Sequence, residues 1–79
     1  VLGAAEALVV DVNHLDVHGV GYVDVTVAYR DRSVGTTRLG RESVPPDLAR
    51  GDQVVVRLVA NMIVSIERPT PHEGVETRP

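Results

Sequence analysis

The stretch Tyr22-Val23-Asp24-Val25-Thr26-Val27-Ala28-Tyr29 constrains the fold more than any other part of the chain. Val23, Val25, Val27 and Tyr29 alternate with Asp24, Thr26 and Ala28, and a period of two is that of a strand with one buried face. A helix would need its apolar residues every three to four positions. Valine is also stiff at χ1 and suits a pleated, half-buried surface. The chain carries 17 valines in 79 residues and has no Phe or Trp, so any core must be assembled from small branched side chains on strands.

Four further strands are expected around this one. Residues 6–12 form the first, with Leu8, Val10 and Val12 in one phase, and residues 34–39 the third. Residues 53–59 read as a buried strand, and residues 62–67 close the series with Met62, Val64 and Ile66 in phase. Residues 13–21 are polar and then glycine-punctuated, which predicts a loop or a bulged, curved strand. Asp31-Arg32-Ser33 and Ala60-Asn61 are expected as turns, the second a two-residue hairpin connection. Between the third and fourth strands, residues 40–52 break the pattern. Pro46 forces Pro45 out of the helical region, so a short turn or helix is expected at Asp47-Leu48-Ala49-Arg50, ended by Gly51.

Five strands on one core in so short a chain imply closure, since an open sheet leaves costly edges. The expected fold is therefore all-β, a small five-stranded barrel over residues 6–68, with residues 1–5 as lead-in and 69–79 as a disordered tail. Three strands, a connector and a final hairpin is the order of the OB fold, and an SH3-like barrel is the alternative.

Composition narrows the function classes. Net charge is −3, all eight basic residues are Arg, and acids are interleaved with them, so the basic footprint of a nucleic-acid binder is missing. The two tyrosines, Tyr22 and Tyr29, are seven residues apart and fall on opposite faces of one strand, which leaves no stacking platform for bases. No apolar run approaches the roughly 20 residues that span a bilayer. Absence of Cys removes disulfides and thiolate metal sites. The serines lack a nucleophile-elbow context and no glycine-rich phosphate loop follows a strand, so no enzyme and no cofactor are expected.

Three features are candidates for chemistry. His14, Asp16 and His18 would share one face of an extended segment and resemble a transition-metal donor set. Along a strand they stand about 6.5 Å apart, so one ion would need a bulge or turn to reach all three, and a solvated loop with Leu15 and Val17 facing inward is the other reading. Arg30, Arg32, Arg38 and Arg41, with Tyr22, surround the second-to-third strand hairpin and could form an anion-binding or partner-docking patch. Gly51-Asp52 reads as a structural turn, the Asp capping local backbone donors.

The connector, Gly51-Asp52-x-Val54-x-Val56 and the closing Asn61-Met62-Ile63-Val64-Ser65-Ile66 strand together resemble the soluble C-terminal OB domain of NfeD-like bacterial membrane proteins. That resemblance covers about half of the chain. It implies a non-catalytic interaction or assembly module of a larger bacterial protein, membrane-associated or else cytoplasmic, with a protein partner such as a membrane-associated protein or a second copy. OB domains of translation initiation factors share the Gly-Asp-x-Val-x-Val signature and imply nucleic-acid binding as the alternative. The start at Val1 without Met, on Val1-Leu2-Gly3-Ala4-Ala5, is expected of a piece of a longer protein or of a chain that has lost an N-terminal signal or anchor.

Overall fold

A computed structural model describes residues 2–69; the expected tail lies almost wholly outside the described residues. Five strands form one antiparallel sheet: β1 (Leu2–Val17), β2 (Val20–Tyr29), β3 (Val34–Gly40), β4 (Gln53–Val59) and β5 (Met62–Glu67). Their spatial order is β3-β2-β1-β4-β5, so β1 is the central strand. The three hairpins β1–β2, β2–β3 and β4–β5 are sequential, and the connector carries the chain across to lay β4 against the first half of β1.

The core is a valine core, as the alternation of β2 requires. Val9, Val23, Val25, Val27, Val54 and Val56 are fully buried, with Ala7, Leu39, Val44, Leu48 and Ile66 beside them. Each such side chain stabilises the fold by about 1.5–3 kcal/mol relative to leaving it in water. Tyr29 continues the phase of Val23, Val25 and Val27 and packs against this cluster half-buried.

Two bulges reset the phase of strands that read as regular in the sequence. On β1 the register shifts between Val9 and Asp11, so Val10 is the extra residue. The inward residues are therefore Ala5, Ala7 and Val9, then Val12; Leu8 and Val10 do not share the phase of Val12 and are exposed. On β4 and β5 the shift falls between Arg57 and Leu58, with Ser65 and Ile63 opposite, which leaves Val64 unpaired. Ile66 and Ile63 face the core, while Met62 is 70 % exposed. A bulge moves every later side chain to the other face, and simple alternation does not foresee it. β4 is likewise half-buried and not a wholly buried run: Val54 and Val56 point in, Arg57 and Val59 out.

Other expectations also change. Strand pairing starts at Leu2, opposite Val59, so the lead-in belongs to β1. Among the described residues the helical turn of the connector is a 3-10 turn at Arg41–Ser43, before the prolines, and after them the expected short segment is made of turns and not a helix. Within the connector, the Leu48 N–H donates to the Pro45 carbonyl and the Asp52 N–H to that of Ala49. The Asp52 carboxylate accepts the Ala49 N–H at 3.0 Å, which is the capping role expected of the Gly-Asp turn. The connector is stitched to the centre of β1: the Val9 N–H donates to the Asp52 carbonyl, and the Gly51 N–H to that of Val9.

The sheet curls but its ladder does not close. β3 and β5 are its two edges and share no strand pairing. They meet through side chains: the Thr37 hydroxyl donates to the Ile63 carbonyl at 3.5 Å. The Tyr29 ring lies over Gly35, where a Cβ would sit 3.2 Å from the ring and 3.6 Å from Ile63. The lack of a side chain at Gly35 is what lets the aromatic fill the seam.

Candidate functional site

The most exposed structured region is an arm made from the segment expected as a loop or a bulged, curved strand, and it is strand. β1 continues in register with β2 to the end, through Asn13↔Asp24, His14↔Val23, Leu15↔Tyr22, Asp16↔Gly21 and Val17↔Val20. The two residues between, His18 and Gly19, have φ of 52° and 82°. Positive φ at both central positions is the primed hairpin turn whose twist matches that of paired strands. The Asp16 carboxylate fastens it by accepting the Gly19 N–H at 2.8 Å.

The register decides what the arm displays. Val23, Val25 and Val27 face the core, so Val20, Tyr22, Asp24 and Thr26 face away from it, together with their partners Val17, Leu15, Asn13 and Asp11. Leu15 and Tyr22 stand directly opposite each other, and Val17 and Val20 form the next pair on the same face. These four apolar side chains make one patch at the tip, where Val17 is 37 % and Val20 52 % exposed. Leu15 and Val17 thus turn away from the core side of the sheet, opposite to the inward orientation expected of them. No residue from 13 to 22 is buried.

Below the patch the outer face becomes polar. Asp24 and Arg38 are register partners on β2 and β3, and the guanidinium holds both carboxylate oxygens, at 2.8 and 3.1 Å. That hydrogen bonding lowers the Asp24 pKa from its ordinary value and outweighs the opposing desolvation. Thr26 and Thr36 form the next cross-strand pair, with hydroxyls 3.4 Å apart.

β1 is also unpaired on one side along the arm. β4 covers it from Leu2 to Leu8, and the connector bonds to Val9. Among the described residues nothing pairs with the same side of residues 10–17. The 3-10 turn packs on β2, β3 and β5 and stays clear of β1.

The residues singled out from the sequence are distributed over several places. His14 and Asp16 lie on the inner face of the arm, two residues apart, and both are exposed. His18 leaves the strand in the turn, and Asp16 already serves Gly19. The described residues contain no group of three or more His, Asp or Glu placed to hold a metal ion. Arg30 and Arg32 sit at the β2–β3 turn, Arg30 paired with Glu6. Arg38 and Arg41 lie at the opposite end of β3, whose seven residues span about 20 Å. The arginines are therefore two separate pairs and not one patch. Arg41 lies across Gly21 near the tip of the arm, opposite Asp16, and Tyr22 belongs to the apolar patch.

Tyr29 borders a shallow depression of about 380 Å³ near the Arg30 end, lined also by Glu6, Leu8, Ala28 and Gln53. Burial, and then the Asp31 charge, raise the Tyr29 pKa above its ordinary value, so the phenol stays protonated at neutral pH. The lining includes no Ser, Cys or His. Leu15, Val17 and Val20 were missing from the sequence-based set of candidates. The signal that locates them is Val17-His18-Gly19-Val20, an X-Gly pair between two valines, which marks a two-residue hairpin. No family model, curated protein or solved structure matches the chain.

Proposed function

We propose that this chain is a non-catalytic interaction module, an OB-like partial barrel that docks a protein partner through its β1–β2 arm. The observation that carries the reading is the apolar patch of Leu15, Val17, Val20 and Tyr22, held on a hairpin with no buried residue. Forming the arm orders about ten residues, at a backbone cost of about 1–2 kcal/mol each, while burying little in return. An exposed apolar patch rimmed by polar residues is the mark of an interaction surface.

The OB-like reading is supported by the strand order and by the approach of β3 to β5 at Thr37 and Ile63, where a five-stranded Greek-key barrel closes. The NfeD-like resemblance extends the proposal to a larger, membrane-associated bacterial protein. No helix among the described residues is long and apolar enough to cross a membrane, so a membrane-spanning helix would lie elsewhere in that protein.

Photo-crosslinking tests the docking surface. A benzophenone side chain placed at Leu15, Val17 or Tyr22 of the full-length protein in its source cells is expected to give a nuclease-resistant protein adduct. The same group at Thr36 is expected to give none. Adducts that nuclease removes would replace the reading with nucleic-acid binding, and adducts from Thr36 alone would place the surface elsewhere. Recovery of the full-length protein wholly in the soluble fraction would contradict membrane association.

A further inference from the structure

Resting on the interaction-module reading, we propose that the free side of β1, residues 10–17, accepts an extended partner segment as an added strand. The partner carries basic residues opposite Asp11 and Asp16 and apolar residues opposite Leu15 and Val17. In an antiparallel pair every second residue turns its N–H and C=O away from the first neighbour. Residues 10–17 pair with β2 on one side only, so half of their backbone groups point to the open side.

Sheet edges that must stay single are commonly guarded by Lys or other charges, Pro, an edge-disrupting bulge or a covering loop, and the charges here, Asp11 and the inward Asp16, oppose an acidic strand but not a basic one. Val10-Asp11-Val12-Asn13-His14-Leu15-Asp16-Val17 has neither Lys nor Pro. Its bulge lies at Val10, where β1 parts from β4, and leaves the seven following residues in continuous register with β2. β3 and β5 face each other across the Thr37–Ile63 contact, and the other one-sided stretch of β1, residues 2–6, carries Arg30 on Glu6. The β1 edge is the one whose geometry matches strand addition.

Charge identifies the partner. The edge strand carries Asp11 and Asp16 and no Arg, and the neighbouring Asp24 is already neutralised by Arg38. Asp16 gives one oxygen to Gly19 and keeps the other free. His14, His18 and Tyr22 are the remaining titratable groups on the arm, and Arg41 lies across Gly21, the register partner of Asp16. An incoming strand with cations opposite the two carboxylates forms favourable cross-strand pairs, and its apolar residues extend the row begun by Leu15, Val17, Val20 and Tyr22.

A second copy of the chain fits less well. Pairing about a twofold axis centred on Asn13 sets Asp11 against Leu15 and Asp16 against Val10. Centring on His14 sets Asp11 against Val17 and Asp16 against Val12. In either register each Asp11 comes beside an Asp16 of the other copy on the opposite face of the sheet, and no cation on either edge strand meets them, so a second copy supplies none of the complementary charge of a basic partner.

The test titrates the isotope-labelled chain with the capped peptide Val-Arg-Val-Thr-Thr-Val-Arg-Val, using Val-Glu-Val-Thr-Thr-Val-Glu-Val as control. Amide shift changes and slowed exchange are expected within residues 10–17, with the acidic peptide at least about tenfold weaker given two reversed cross-strand pairs. Asp11→Arg, at an exposed position, is expected to weaken the basic peptide about threefold to tenfold and strengthen the acidic one. Equal binding of both peptides, perturbation centred elsewhere, edge amides already protected in the free chain, or concentration-dependent self-association through this edge would each overturn the proposal. If crosslinks from Leu15 and Tyr22 persist while the edge fails these tests, the strand-acceptor mode falls and the interaction module stands. Loss of both removes both.

Discussion

One strand, β1, belongs to two regions that behave differently. Just before the Val10 bulge, at Ala7 and Leu8, it lies between β2 and β4, and there Ala7 and Val9 enter the core. After the bulge it has β2 alone, and from residue 13 onward nothing on it is buried. Pairing with β2 runs from Ala7 to Val17 across both stretches, broken only at the bulge. What differs is the second neighbour and the buried valines, so the comparison separates what holds the fold from what the fold displays. Local stability in a sheet follows buried contacts and shielded hydrogen bonds, and the arm has few of either.

The largest effect comes from removing core volume on one side of this comparison. Val25→Ala, at a position with no exposed surface, is expected to cost about 2–3 kcal/mol, read from the urea midpoint. Val17→Ala, on the arm, is expected to change global stability by no more than about 0.5 kcal/mol. Equal losses at the two sites would break the distinction between body and arm.

Gly19→Ala probes the arm by itself. A left-handed residue other than Gly costs about 1–2 kcal/mol, and Gly19 holds φ at 82°. Amide exchange in residues 13–22 is expected to accelerate about tenfold while the urea midpoint hardly moves. A large drop in the midpoint would show the arm to be part of the cooperative body.

Smaller still is Ala60→Gly in the β4–β5 turn. The positive φ of that turn falls on Ala60, and relieving it is expected to stabilise the chain by about 0.5–1 kcal/mol, seen as a higher Tm. Because this turn belongs to the body, exchange on the arm should not change.

The smallest effect is that of acid on the exposed ion pairs. Hydrogen bonds from Arg57 lower the Glu67 pKa from its ordinary 4.5, and those from Arg68 and Arg38 lower Asp47 and Asp24 from 3.8. A carboxyl whose folded pKa lies below its unfolded one adds stability above the unfolded value. That contribution is lost as pH falls through the folded value. Stability is therefore expected to be flat down to about pH 5 and to decline below it. Asp24→Asn should flatten the decline. A loss beginning near pH 6 would contradict this.

How much of this was legible in the sequence depends on whether a residue's surroundings are local. Val23, Val25 and Val27 announce a half-buried strand because a period of two needs no knowledge of the partner. Ala60-Asn61 and Gly51-Asp52 are turns for equally local reasons. The bulges at Val10 and Val64 are not local, since each is set by the register with the strand paired opposite. The faces of Leu8, Leu15, Val17 and Met62 follow from those bulges, and so did the misreading of them. The arm was hidden because Asn13, His14 and Asp16 look like loop residues. In the structure they are polar because a single neighbouring strand leaves them in solvent. Separation of the arginines into two pairs is likewise a consequence of strand length, which spacing along the chain does not reveal.

The central claim is that β1 is shielded on both sides at residues 7–9, just before its bulge, and open on one side after it. Native-state amide exchange of the free chain tests this residue by residue. Buried positions such as Val9, Val25 and Val56 are predicted to exchange only with global unfolding. Alternate residues between 10 and 17 are predicted to exchange near the rate of unprotected amides. Uniform protection along the whole of β1 would contradict the account, because it would mean that the open side is already covered.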